Sequence, residues 1–158
     1  MENRLRNSRF WAMVTLLLMV CGCFTVVTSC HKGSESQLQE TVDSFSEAYF
    51  NWQFPRAVAY CTPESRRWLS YAASQVNEDD VDSLRAMDRG AEHAIDKVDY
   101  QNDSVAVARV TVRHFMAMDS LGHAGQLIDE THFALPVVYR EEQWRVHLSS
   151  LPRAQREQ

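Results

Sequence analysis

The chain is 158 residues long and 45% hydrophobic, with 16 basic against 21 acidic side chains and a formal charge of −5. An acidic balance with only two lysines and no basic cluster excludes nucleic-acid binding of the kind driven by counterion release. Three of the four cysteines fall within the first 30 residues, so the remainder has no disulfide framework and depends on an ordinary apolar core.

Arg4, Arg6 and Arg9 precede an uncharged run over residues 10–29. A basic segment followed by an apolar one is the layout of a secretory signal peptide, and residues 11–27 are also long enough for a transmembrane helix. Under either reading the positive flank keeps the N-terminus cytoplasmic and sends the rest across the membrane. The end of the run separates the two. Val27-Thr28-Ser29-Cys30 is an aliphatic residue, two small residues and a cysteine, and a polar segment with glycine and serine, 31–36, follows it. This resembles the bacterial lipoprotein signal box. The resemblance implies removal of residues 1–29, acylation of Cys30, and residues 30–36 as a flexible tether to a lipid bilayer, where several acyl chains anchor stably and one only marginally. Cys21 and Cys23 lack the small-residue approach. His31 after the cysteine, in place of an aspartate, points to the outer rather than the inner membrane of a bacterial cell envelope. The cut chain would carry 13 basic against 20 acidic residues, a formal −7.

Leu38, Val42, Phe45, Tyr49 and Trp52 fall on one face of a helix over residues 37–53. Pro55 ends it, because proline disfavours helical geometry in the residue before it. A short helical piece over 56–60 follows. Thr62-Pro63-Glu64 predicts a new helix with Thr62 as N-cap, burying Trp68, Leu69, Ala72 and Val76. Asn77 starts a third, with Glu78, Asp79 and Asp80 in its first turn and Gly90 as its stop. Periodicity then changes to alternation. Residues 94–100 predict a strand, 101–103 a turn, and 104–118 a long strand with Val110, Val112, His114, Met116 and Met118 on one face. Val105 and Val107 are in the opposite phase, which predicts a bulge inside that strand. A polar turn over 119–125 leads to a strand over 126–140 with Phe133, Leu135, Val137 and Tyr139 on one face. Pro136 places an edge or irregularity there. Glu141-Glu142 is a tight turn, 143–149 the closing strand with Trp144, Val146 and Leu148 inward, and 151–158 a disordered tail.

Helices followed by four antiparallel strands predict an α+β domain over residues 37–150, the helices packed on a curved sheet. Phe45-Ser46-Glu47-Ala48-Tyr49, Tyr60-Cys61-Thr62-Pro63-Glu64-Ser65 and the final hairpin with Trp144-Arg145-Val146 resemble the nuclear transport factor 2-like superfamily. That is the cone-shaped fold also used by ketosteroid isomerases, and small bacterial lipoproteins of unknown function are built on it. The resemblance spans about residues 38–149 and implies a pocket between the first helix and the concave sheet; its motifs are packing and turn motifs and imply no particular activity.

No catalytic set emerges. The family's carboxylate base has no matching position: Asp96, Asp99 and Asp129 read as solvent-facing acids, and Asp79, Asp80 and Asp82 as helix-dipole partners. The histidines have no metal-ligand spacing, and alternation turns His132 and His147 outward, so neither a metal nor any other cofactor is expected. Cys61, before a helix start, sits where a thiol's pKa can fall, yet no base accompanies it. His114 shares an apolar face with Val112 and Met116 and is the best single polar candidate for the cone interior. Tyr60, Trp68, His114, Met116 and Phe133 are the candidate pocket-lining residues, and Trp52-Gln53-Phe54 a candidate cap of the mouth. The expected function is non-catalytic binding, by a membrane-anchored domain, of a small apolar ligand or an envelope protein; a homodimer through the open sheet is a further option. The alternative is a small cofactor-independent isomerase or hydratase working through His114.

Overall fold

The chain divides into two compact units, Met1–Cys30 and His31–Gln158. The computed structural model describes residues 33–118 and 125–155, all within the second unit, and Cys30 and the apolar run before it lie outside the described residues. The described core residues form one cluster within this unit. No helix among the described residues is long and apolar enough to cross a membrane.

The first helix, α1, spans Glu35–Phe50. It starts two residues before the expected helix over 37–53, because Ser34 caps it: the Ser34 hydroxyl accepts from the Gln37 N–H at 3.1 Å. Leu38, Val42, Phe45 and Ala48 are fully buried, the face expected from their spacing. Residues 35 and 36, expected in the flexible segment, form the first turn of α1. Gly33, at φ 84°, lies flat on the Tyr139 and Trp144 rings, and a Cβ there would sit 2.7 Å from Trp144 Nε1.

After α1 come α2 (Phe54–Ala57), 3-10 turns at Val58–Tyr60 and Pro63–Ser65, α3 (Arg66–Gln75) and α4 (Glu78–Ala86). Thr62 does not cap with its side chain. Its hydroxyl instead bonds Ser65 Oγ at 2.8 Å and His147 Nδ1 at 3.1 Å, while its N–H donates to the Val146 carbonyl, fastening the helical layer to the last strand. His147 is therefore half-buried rather than outward. Asn77 and Asp80 form a reciprocal capping box on α4, and the other Asp80 oxygen accepts from the Gly125 N–H at 2.8 Å. Asp80 is thus buried and ties α4 to the start of the third strand.

Four strands, β1 (Glu92–Asn102), β2 (Val105–Ala117), β3 (Gln126–Arg140) and β4 (Gln143–Val146), pair antiparallel in chain order. This is the expected α+β architecture, with α1 packed on one face of the sheet. Two features of the sheet differ from expectation. The inward face of β2 is Ala106, Ala108, Val110 and Val112, all fully buried, so the alternation keeps one phase through the region where a bulge was expected. Val105 and Val107 are half-buried on the other face, where Arg109 and Arg113 pair with Asp99 and Glu130. The bulges lie on β1 instead, between Ile95 and Lys97 and between Tyr100 and Asn102. The phase of β2 changes at His114, whose φ of 52° rotates it off the inward face and puts Phe115 into the core. Pro136 stands where β4 pairing ends beyond Val137, so its missing N–H breaks no ladder bond, and its carbonyl accepts from His147.

Candidate functional site

The two ends of α1 have different surroundings. At its C-terminus lies a cavity of about 310 Å³, within the size range of small-molecule sites. Helix α1 contributes Tyr49 and Phe50, and the segment after it Trp52 and Phe54. The end of β2 supplies Phe115, Met116, Ala117 and Met118, and β3 supplies Phe133. Residues 151–154 complete the wall.

Trp52 has the most constrained backbone of these. Its N–H donates to the Tyr49 carbonyl and the Gln53 N–H donates to the Ala48 carbonyl, the double closure of a helix ending in a left-handed residue. Glycine normally fills that position because a side chain at positive φ costs about 1–2 kcal/mol. Here a tryptophan fills it at φ 58°, and its indole Nε1 donates to the Met116 carbonyl at 2.9 Å. One hydrogen bond thus holds the ring as a wall between α1 and β2. Strained residues concentrate at functional sites, where surrounding contacts hold them in place.

Behind Trp52 the rings interlock. Phe50 lies 4.7 Å from Phe133 and 5.8 Å from Phe115, centroid to centroid, and Tyr49 stacks on Phe45 at 5.4 Å and meets Phe54 edge-on at 5.8 Å. Burial holds the Tyr49 phenol well above its ordinary pKa of 10.0, so it stays protonated at any physiological pH. The segment expected to fray packs over the opening: Leu151 rests on the core, and the Gln155 N–H donates to the His132 carbonyl at 2.8 Å.

Of the five candidate pocket residues, Met116 and Phe133 line this cavity, and so do Trp52 and Phe54 from the candidate mouth cap. Tyr60 lies at the other end of α1, beside Thr41 and Trp144, and Trp68 packs against the core from α3. His114 is turned away by its positive φ, and its Nε2 lies 3.1 Å from Asp88 Oδ1. Cys61 is buried, and desolvation pushes its thiol above 9.0 against the opposing pull of Arg66 and Arg145, so it is not a thiolate nucleophile at neutral pH. The remaining described histidines are engaged: His93 Nε2 lies 2.8 Å from Asp43, and Thr111 Oγ1 donates to Asp96 at 2.7 Å and accepts from His132 Nδ1 at 2.9 Å. Among the described residues no group of three or more His, Cys, Asp or Glu side chains is placed to hold a metal ion. The lining residues missed from sequence are Tyr49, placed on the buried helix face, Phe50, Ala117 and Met118, given no site role, and 151–154, assigned to the tail. The apolar pair Leu151-Pro152, directly after the buried Leu148, was the available signal.

No family model matches the sequence, and no curated protein matches it significantly. Solved structures with a similar chain trace include a nuclear transport factor 2-like protein of unknown function from Shewanella oneidensis. It is 12% identical, with a TM-score of 0.48 over 71% of this chain and 95% of that one. A ketosteroid isomerase-like protein from Erwinia carotovora atroseptica is 10% identical, with a TM-score of 0.47 over 70% and 88%. At such identity the likeness concerns the path of the chain and not its chemistry.

Proposed function

We propose that the protein is a lipid-anchored component of a bacterial cell envelope whose domain binds a small apolar molecule without transforming it. The observation that carries this reading is the aromatic cavity at the C-terminal end of α1. Its titratable lining residues, among those described, are Tyr49 and Arg153. A phenol held protonated by burial and a guanidinium supply no base poised near neutral pH, which acid–base chemistry requires. Ring faces and a strained tryptophan fit a site that holds a ligand by burial of apolar area.

The anchoring part of the proposal rests on Val27-Thr28-Ser29-Cys30.

The test is native mass spectrometry of residues 31–158 as purified, beside an Ala117→Phe variant that fills the cavity. A reproducible bound mass that disappears in the variant supports the site; a protein that is empty and also takes up no added hydrophobic probe rules it out. For the anchor, Cys30→Ser in the full chain should move the protein from the membrane to the soluble fraction. Unchanged membrane retention would overturn the lipid-anchor reading.

A further inference from the structure

Among the described residues that line the cavity, Arg153 is the charged one. Five arginines of the domain, Arg85, Arg89, Arg109, Arg113 and Arg140, lie against carboxylates. Arg153 makes no ion pair or side-chain hydrogen bond among the described residues, although the chain has an excess of acids. Its position is nevertheless set. Leu151, two residues before it, packs on the core, and Gln155, two residues after it, is bonded through its backbone to β3. The chain thus holds a cation against the mouth and, among the described residues, provides no partner for it there. Deeper in, the indole N–H of Trp52 is already used by Met116, and the other ring walls have no hydrogen-bonding atom apart from the Tyr49 hydroxyl.

We infer that the cavity takes a small amphipathic carboxylate, its apolar body against the aromatic wall and its carboxylate paired with Arg153 at the rim. A guanidinium matches a carboxylate with two parallel N–H donors, and the absence of acids among the described lining residues disfavours a cationic ligand. Size narrows the class further. A volume of about 310 Å³ lies at the small end of the range for small-molecule sites. That corresponds to a medium-chain fatty acid or an arylalkanoate and is too small for a two-chain lipid.

The inference rests on the cavity being a ligand site, and the experiment separates the two claims. Residues 31–158 are titrated calorimetrically with octanoate, octanol and octylamine, which share one chain and differ in head charge. Octanoate is expected to bind most tightly. Arg153→Gln should weaken octanoate about fivefold, the size of an exposed ion pair, and leave octanol unchanged, while Arg153→Lys should restore part of the loss. The octanoate preference should also shrink in high salt. Octanol binding as tightly as octanoate, or Arg153→Gln weakening both alike, would overturn the carboxylate assignment and leave a general apolar site. Failure of all three probes to bind would overturn the cavity reading as well.

Discussion

Helix α1 has a tryptophan at each end, and the two are used in opposite ways. At the N-terminal end Trp144 is 1% exposed, covered by Gly33 and flanked by Tyr139 and Tyr100 at 5.3 and 6.2 Å. That end is shut, with Ser34 capping the helix and the β3–β4 hairpin lying against it. At the C-terminal end Trp52 is half-buried in a backbone conformation suited to glycine, and its neighbours leave a cavity rather than filling it. The same residue type closes one end by packing density and keeps the other open through one backbone strain and one hydrogen bond. Stability is concentrated where the chain enters the domain, and binding capacity where the sheet and helix diverge.

The comparison predicts unequal costs. Trp144→Ala should lose about 3–5 kcal/mol in urea unfolding, the range for deleting a fully buried tryptophan. Trp52→Ala should lose about 1–2 kcal/mol, because the ring is half-exposed and its removal leaves the strain at positive φ in place. Trp52→Gly should then be more stable than Trp52→Ala by about 1 kcal/mol. That reverses the usual order of the two residues near a helix. If the alanine variant were equally stable or more so, Trp52 would not be strained and the account of the open end would fail. Both variants should lose octanol binding, whereas Trp144→Ala, if still folded, should keep it.

Alkaline titration distinguishes the ends by a smaller effect. Burial raises Tyr49 at the open end, and raises Tyr100 at the closed end with added repulsion from Glu35. Each folded-state value lies above the unfolded one, so the contribution is complete below about pH 10 and is lost as pH rises beyond it. Cys61 adds a loss in the same direction from about pH 9. Tyr49→Phe should flatten this alkaline decline more than Tyr100→Phe does. Equal slopes for the two variants in pH-dependent thermal melts would contradict the stronger desolvation of Tyr49.

Much of this architecture was legible in the sequence, and the failures have identifiable causes. The spacing of Leu38, Val42 and Phe45 defined the buried face of α1, and the alternation of Phe133, Leu135 and Val137 defined that of β3, because each pattern meets a single flat partner. In β2 the branched residues Val105 and Val107 gave a stronger apolar signal than Ala106 and Ala108, yet the alanines face inward, where α1 approaches the sheet. His114 was misplaced because its positive φ takes it off the inward face and brings Phe115 into the core, and no periodicity announces that. The cavity was only partly legible, since it is assembled from the ends of separate segments. Met116, Phe133, Trp52 and Phe54 belong to clear patterns, whereas Arg153 lies in a stretch whose composition reads as a frayed tail.

The smallest expected effect concerns the turn that closes the shut end. Glu141 and Glu142 occupy the two central positions of the β3–β4 hairpin at φ 52° and 61°. A two-residue hairpin with both residues left-handed favours Asn-Gly, and two glutamates there carry strain as well as adjacent like charge. Among the described residues the contact from α1 to this turn is a 3.5 Å bond from the Gln37 side chain to the Glu142 carbonyl, which glycine would retain. Glu142→Gly should therefore stabilise the protein by about 1 kcal/mol and leave octanoate binding unchanged. The larger unfolded-state entropy of glycine opposes the relief of strain and keeps the net gain small. A stabilised variant with unaltered affinity would show that the shut end can be tightened independently of the open one; a change in affinity would mean that α1 transmits strain along its length.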